Sequence, residues 1–196
     1  MKSYLYQHWA ESTLIMGIAL TVVLLSFLPT TPWMLFLIWF QFPVYLFHQF
    51  EEHVYPGHFK EFINTQIFHS QIPDSPLSTP AVFWINILAI WFLFPIGAVC
   101  AQNISIEFGL LLPIFGLFNA TLHILMFLIK RRYNPGLLVS VCLNYPTGIY
   151  TLWVLAQNNV MSSWSVGLSL VVTILAHALI VVLVGRKSNE HLVVNP

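Results

Sequence analysis

The chain is dominated by long apolar segments that short polar connections separate. These hydrophobic windows lie at residues 11–28, 33–50, 81–100, 107–129, 137–156 and 165–184. Each is close to the roughly 20 residues that an α-helix needs to cross the hydrocarbon core of a bilayer. Hydrophobic residues make up 58% of the chain and the mean hydropathy is +0.78, which is outside the range of soluble globular domains. The pattern predicts an all-α, polytopic membrane protein, with about six transmembrane helices in a single transmembrane domain that covers residues 1–196.

The basic residues predict the orientation of this bundle. If the N-terminus is cytoplasmic, all seven Lys and Arg residues fall in cytoplasmic segments and none falls in the three opposite connections. Because cytoplasmic loops are enriched in Lys and Arg, both termini are expected on the cytoplasmic side. The net charge near zero and the small number of basic residues argue against nucleic acid as a partner. The seven residues are Lys2, Lys60, Lys130, Arg131, Arg132, Arg186 and Lys187.

One long connection lies between the second and third segments. It opens at Pro56-Gly57, and its middle carries Phe59, Phe62, Ile63 and Ile67 at spacings of three and four residues. This periodicity predicts a short helix that lies on the membrane surface, with its apolar side toward the lipid.

An ionisable cluster stands at the end of the second segment. His48, Glu51, Glu52 and His53 fall close together in a chain of which only 7% is charged. A carboxylate at hydrocarbon depth costs on the order of 3 kcal/mol unless a partner, a metal or a proton offsets that cost. In a helix His48, Glu51 and Glu52 project from one side and His53 points elsewhere. Such a set of ligands suits Zn, Fe or Mn, although a solvated helix end has the same spacing.

Polar residues on the other segments lie at a depth comparable with that of this cluster. Such residues normally face the interior of a helix bundle, so they predict a shared polar pocket near the cytoplasmic face. His123 and His177 are candidate ligands beside His48, Glu51 and Glu52, and the alternative for His123 is an ordinary interhelical hydrogen bond. Asn119 lies one turn before His123. It is expected either to orient the second ring nitrogen of that histidine or to make an ordinary interhelical hydrogen bond. The other supporting residues predicted for this pocket are Asn86 and Asn144, with Asn144 beside a kink at Pro146.

Four short segments, taken in order, resemble the pattern of a known family. His48-Gln49-Phe50-Glu51-Glu52 is an H-x-x-E-E motif, and the chain continues as Tyr55-Pro56-Gly57-His58-Phe59. Asn119-Ala120-Thr121-Leu122-His123 and Arg132-Tyr133-Asn134-Pro135-Gly136 follow later in the chain. This ordered set is similar to the HXXEE family of small bacterial integral membrane proteins. The resemblance implies a multi-span protein without a settled activity and, together with the loop charges, a location in the bacterial inner membrane.

Three functional hypotheses follow from the sequence. The first is a membrane metalloenzyme, a hydrolase or an oxygenase, that binds a divalent metal and acts on a lipidic or apolar substrate among the membrane lipids. Its candidate catalytic residues are Glu51 and Glu52. The second is a metal-free acid/base isomerase of lipids, in which a Glu and a His share a proton. The third is a small transporter or ligand-binding protein with a proton or cation site. It ranks lower because transport needs a path to the outer face, and the outer half of the predicted helix bundle is nearly all apolar.

Overall fold

The computed structural model describes residues 2–72 and 74–194. Helices and their connections, without strands, make up this part of the chain. Side chains are described from residue 3 to residue 185, apart from residue 73, so those of Lys2, Arg186 and Lys187 lie outside the described part. The helices, in chain order, are α1 (Lys2–His8), α2 (Ser12–Phe27), α3 (Trp33–His53), α4 (Phe59–Phe62), α5 (Thr79–Asn86), α6 (Leu93–Asn103), α7 (Leu111–Lys130), α8 (Leu137–Val139), α9 (Tyr145–Gln157) and α10 (Ser163–Val194).

Five helical stretches of the described residues are long and apolar enough to cross a membrane. They are Ser3–Thr30, Thr79–Asn103, Ile106–Lys130, Leu137–Gln157 and Ser163–Gly185. These correspond to five of the six predicted segments, and the first begins earlier than residue 11 because α1 and a 3₁₀ turn (Trp9–Glu11) precede α2. The prediction of a polytopic helical membrane protein is therefore confirmed, while the count of six is not.

The remaining predicted segment is α3, which is more polar than the other five. It carries Gln41, His48, Gln49, Glu51 and Glu52, all of which are buried. The helix can hold these residues because it packs against α2, α6, α7 and α9. Its apolar residues Ile38 and Leu46 lie in the main core with Phe94, Leu112 and Phe115. Helix α3 is thus a central element, and its C-terminal end brings the H-x-x-E-E motif among neighbouring helices.

Two π turns interrupt the long helices just before prolines. The turn Ile87–Phe92 precedes Pro95, and the turn Ser140–Asn144 precedes Pro146. Proline has no N–H to donate to the carbonyl four residues earlier, and its ring crowds that carbonyl. Trp91 and Cys142 carry those carbonyls, and both lie within the wider π turns. The irregularity predicted at Pro146 is therefore present as a π turn that ends at Asn144.

The long connection contains the predicted short helix. Helix α4 continues into a π turn at Ile63–Ile67. Asn64, which is fully buried, fastens this segment to the start of α5. Its amide nitrogen donates to the carbonyl of Leu77 at 2.9 Å, and its Oδ1 accepts from the backbone nitrogen of Leu77 at 2.8 Å. These two bonds thus link the segment that follows α4 to the backbone just before α5.

Replacement of Asn64 by Ala is expected to loosen this connection. Two buried backbone groups of Leu77 would lose their partner, and each such loss costs about 1–3 kcal/mol. The free energy of unfolding in detergent should fall by about 2 kcal/mol or more, and proteolysis within residues 68–78 should accelerate. Asn103→Ala is the matched control because the Asn103 amide bonds only within its own helix, to Val99, and is exposed. Equal effects of the two substitutions would contradict the role of Asn64.

Candidate metal centre

Three buried side chains of α3 and α7 meet at one end of the bundle. His48 and Glu52 are one turn apart on α3, and His123 comes from the second half of α7. Their exposed fractions are 0%, 5% and 1%. One ligand atom from each lies within 4.8 Å of the others, which makes them the group among the described residues that could hold a metal ion.

The distances within this group suit a single ion. Glu52 Oε1 lies 3.1 Å from His123 Nε2 and 3.5 Å from His48 Nε2. Ligand atoms about 2.1 Å from a tetrahedral ion lie about 3.4 Å from each other. The two distances from Glu52 Oε1 to the imidazole nitrogens are therefore close to those that a shared metal ion would require.

The hydrogen bonds of His123 show which of its ring nitrogens carries a proton. The Asn134 amide nitrogen donates to the His123 carbonyl at 3.0 Å. This bond fixes the orientation of the amide, so the atom that lies 2.6 Å from His123 Nδ1 is the oxygen Asn134 Oδ1. His123 Nδ1–H must then donate to this oxygen, and a neutral ring presents the lone pair of Nε2 to Glu52. A lone pair and a carboxylate oxygen repel each other unless a proton or a metal ion lies between them. The contact thus requires a shared proton or a metal ion.

Asn119 lies at His48 rather than at His123. Its amide nitrogen is 2.9 Å from His48 Nε2, where it donates to the lone pair of that nitrogen. Of the two roles expected for Asn119, the structure shows the interhelical hydrogen bond, whereas Asn134 takes the position that orients His123. A metal bound at His48 Nε2 would compete with Asn119 for the same lone pair, so the amide would have to rotate away when an ion binds. His48 Nδ1 is buried and has no hydrogen-bond partner among the described residues.

The loop between α7 and α8 closes the group on one side through Gly136. A Cβ atom at this position would lie 2.5 Å from His123 Cε1 and 2.8 Å from His48 Cε1. The backbone φ of +98° is also one that residues with a side chain rarely adopt. Phe59, from the start of α4, lies against the His123 ring with centroids 5.1 Å apart. Glycine therefore allows the backbone to touch both imidazoles, and the aromatic ring helps to exclude water.

Glu51 faces away from the three-residue group. Its carboxylate accepts hydrogen bonds from the backbone nitrogens of Leu138 (2.9 Å) and Val139 (2.6 Å), and from the hydroxyl of Tyr133. Burial raises the pKa of Tyr133, and the bond to the Glu51 carboxylate raises it further, so the hydroxyl remains a donor. The orphan N–H groups at a helix start favour a negative charge. In this geometry Glu51 fastens the helix Leu137–Gln157 to the end of α3.

The other predicted residues are distributed around the group. His177 is half-buried against the rings of Phe115 and Phe118, and its Nδ1 bonds to the Thr173 carbonyl of its own helix at 2.8 Å. It is not part of the three-residue group, because aromatic side chains of α7 fill the space around it. Asn86 accepts a bond from Gln49 at 3.0 Å. Asn144 is buried, and neither atom of its amide has a hydrogen-bond partner within the described part of the chain.

His53 is closer to the group than its direction on a regular helix predicts. It is the last residue of α3, and its Nε2 lies 3.5 Å from Glu52 Oε2. Sequence reasoning also missed Asn134 and Gly136 as parts of the site. Periodicity cannot find them since they lie in a loop, and the only signal was that Arg132 to Gly136 belongs to the family pattern.

The fold and this geometry define a class: a polytopic helical membrane protein with a buried histidine–carboxylate centre at one end of its bundle. The chain belongs to a family described as protein of unknown function with HXXEE motif, whose model matches residues 39–151. That match contains all three residues of the group as well as Asn134 and Gly136. No curated protein and no solved structure matches the chain.

Replacement of Gly136 by Ala is expected to disrupt the centre. The added Cβ would overlap both imidazoles and would require an unfavourable positive φ, which together should cost about 2 kcal/mol or more of unfolding free energy. The control is Gly116→Ala on α7, where an added Cβ meets nothing within 4 Å and should slightly stabilise the helix. Thermal unfolding in detergent measures both changes, and a neutral Gly136→Ala variant would contradict the described packing.

Replacement of Glu51 by Gln tests its role as an anchor. The neutral amide keeps the shape of the side chain but has only one acceptor oxygen. It can keep weaker bonds from Leu138 N and the Tyr133 hydroxyl but loses the bond from Val139 N, so the unfolding free energy should fall by about 1–3 kcal/mol. Glu61→Gln is the control, since its side chain is 45% exposed and lies 3.9 Å from the nitrogen atoms of His58 and Lys60. An unchanged unfolding midpoint for Glu51→Gln would show that these bonds contribute little.

Proposed function

We propose that this protein is a membrane-embedded metalloenzyme in which His48, Glu52 and His123 hold one divalent ion, Zn, Fe or Mn. The observation that carries this proposal is the meeting of three buried ligand atoms within 4.8 Å. Imidazole and carboxylate ligands are the types that these metals bind in proteins. The unfavourable contact between the Glu52 carboxylate and the Nε2 lone pair of His123 supports the same conclusion, because a cation would remove it.

Three protein ligands would leave at least one coordination position for water or substrate, as in catalytic rather than structural sites. A bound divalent ion would supply a Lewis acid that activates water for hydrolysis or, if it is iron, activates oxygen. The residues around the ion would orient its ligands and limit the access of water. Asn134 holds the His123 ring in one tautomer, and Gly136 and Phe59 limit the access of water to the two imidazoles.

A lipidic or apolar substrate is the class that this location favours. Large apolar side chains cover the outer surface of the helices, among them Leu128 and Ile129 near the end of α7 that carries His123. We assign the protein to the bacterial inner membrane with both termini in the cytoplasm. The support for this orientation is that Lys60 and Lys130 lie in the segments next to the centre, where cytoplasmic basic residues are expected.

A metal-free enzyme is the second candidate, and the same contact favours it. A proton between His123 Nε2 and Glu52 Oε1, at 3.1 Å, would also satisfy the two facing acceptors. Such a pair performs general acid/base chemistry, for example the isomerisation of an embedded lipid. Turnover that persists in the presence of a strong chelator would favour this function over the metalloenzyme.

Metal content after purification in mild detergent tests the proposal. The wild-type protein should retain about one tightly bound ion per chain. His48→Ala, His123→Ala and Glu52→Gln should each lower that content severalfold or more, because every one of them removes a ligand. The measurement is elemental analysis of protein that gives a single peak in size-exclusion chromatography.

Glu51→Gln and His177→Ala are the matched controls for this experiment. Both were predicted as ligands from the sequence, yet neither belongs to the three-residue group, so both variants should keep the ion. A wild-type protein without any metal, before and after incubation with Zn²⁺, Fe²⁺ or Mn²⁺, would contradict the proposal. A loss of metal in the controls equal to that in the ligand variants would contradict the assigned ligand set.

A further inference from the structure

A cavity of about 280 Å³ adjoins the centre at Glu52. The end of α3 contributes Glu52 and His53 to it, and the other walls come from the N-terminal helix, α4 and the start of α5. Its volume is just below the range of small-molecule pockets, which is about 300–1,000 Å³. The cavity thus reaches Glu52 and His53, whereas His48 and His123 do not line it.

We propose that this cavity holds a second divalent cation, bound between Glu52 Oε2 and His53 Nε2. The two atoms are 3.5 Å apart, close to the separation of about 3.4 Å that a tetrahedral ion imposes on its ligands. His53 Nε2 is buried and has no hydrogen-bond partner among the described residues. This nitrogen thus lies beside a carboxylate oxygen at one wall of a cavity and makes no short hydrogen bond, which leaves its lone pair able to bind a cation.

The two oxygens of Glu52 would then serve two different ions. Oε1 faces His48 and His123, whereas Oε2 faces His53. A carboxylate shared in this way is typical of two-metal centres, whose ions stand about 3.5–4 Å apart. This inference rests on the proposed function, because the inner ion is the one held by the three-residue group.

The second ion should be weaker and easier to exchange than the first. The structure offers it two protein ligands instead of three, and its other coordination positions would face the cavity. Lys60 also lines the cavity, but its ammonium group is engaged at 2.7 Å by Asp74 Oδ1 and at 2.9 Å by Thr79 Oγ1. The repulsion that this lysine would exert on a cation is therefore offset by a carboxylate that binds it directly.

Titration of the full chain in detergent with Mn²⁺ and Co²⁺ tests the inference. The wild-type protein should bind two ions per chain with distinct affinities, and His53→Asn should keep the tight ion and lose the weak one. The control is His58→Ala, which removes a histidine from the same cavity whose side chain is 81% exposed; it should keep both ions. Retention of the tight ion also shows that His53→Asn is folded. If that variant binds no ion, His53→Gln takes its place.

The outcomes separate this inference from the proposed function. One ion in the wild-type protein and one in His53→Asn would overturn the second site and leave the first intact. No ion in the wild-type protein would overturn both. Electron paramagnetic resonance of the Mn²⁺-loaded protein adds a distance-sensitive readout. Two ions that share the Glu52 carboxylate should give a spin-coupled spectrum, and His53→Asn should give the spectrum of an isolated ion. An uncoupled spectrum from a wild-type protein with two ions would overturn the shared site.

Discussion

The contact between Glu52 and His123 is the interaction on which the rest of this site depends. A carboxylate oxygen and an imidazole nitrogen lie 3.1 Å apart in a buried pocket. Asn134 already uses the other nitrogen of the ring as a donor, so both facing atoms are acceptors when the ring is neutral. The desolvation of a carboxylate costs several kcal/mol unless an opposite charge compensates it. A proton or a metal ion is therefore a physical requirement of this arrangement, and the third ligand atom, from His48, favours the metal.

Much of the surrounding structure serves to bring these groups together. The polar helix α3 is surrounded by more apolar helices, and this burial gives its carboxylates a low-dielectric environment. Glu51 binds the start of the helix Leu137–Gln157, which fixes the preceding loop over the site. Gly136 in that loop then touches both imidazoles. The two neighbouring glutamates of the motif thus have different roles, since one fastens the helices together and the other faces the histidines.

The features that follow from local composition were predictable from the sequence. Apolar length was sufficient for five spans, and the meeting of His48, Glu52 and His123 agrees with their comparable depth near the C-terminal ends of α3 and α7. The predictions that were wrong concern the direction in which a side chain points from its helix. A helical spacing puts Glu51 and Glu52 on one side of α3, but it contains no information about which neighbour each carboxylate reaches. His177 lies at a depth comparable with that of the centre. The direction in which its side chain points, however, depends on how α10 packs against Phe115 and Phe118. Loop residues such as Asn134 have no periodicity from which a contact could be inferred.

X-ray absorption spectroscopy at the metal edge is the most direct test of a centre built from two histidines and a carboxylate. Protein purified from membranes without added metal should show one dominant edge of zinc, iron or manganese. Its first shell should contain only nitrogen and oxygen, at about 2.0–2.2 Å for zinc, with the outer-shell scattering of about two imidazole rings. A spectrum without imidazole scattering, with a sulfur shell, or with no metal above the buffer background would contradict the account.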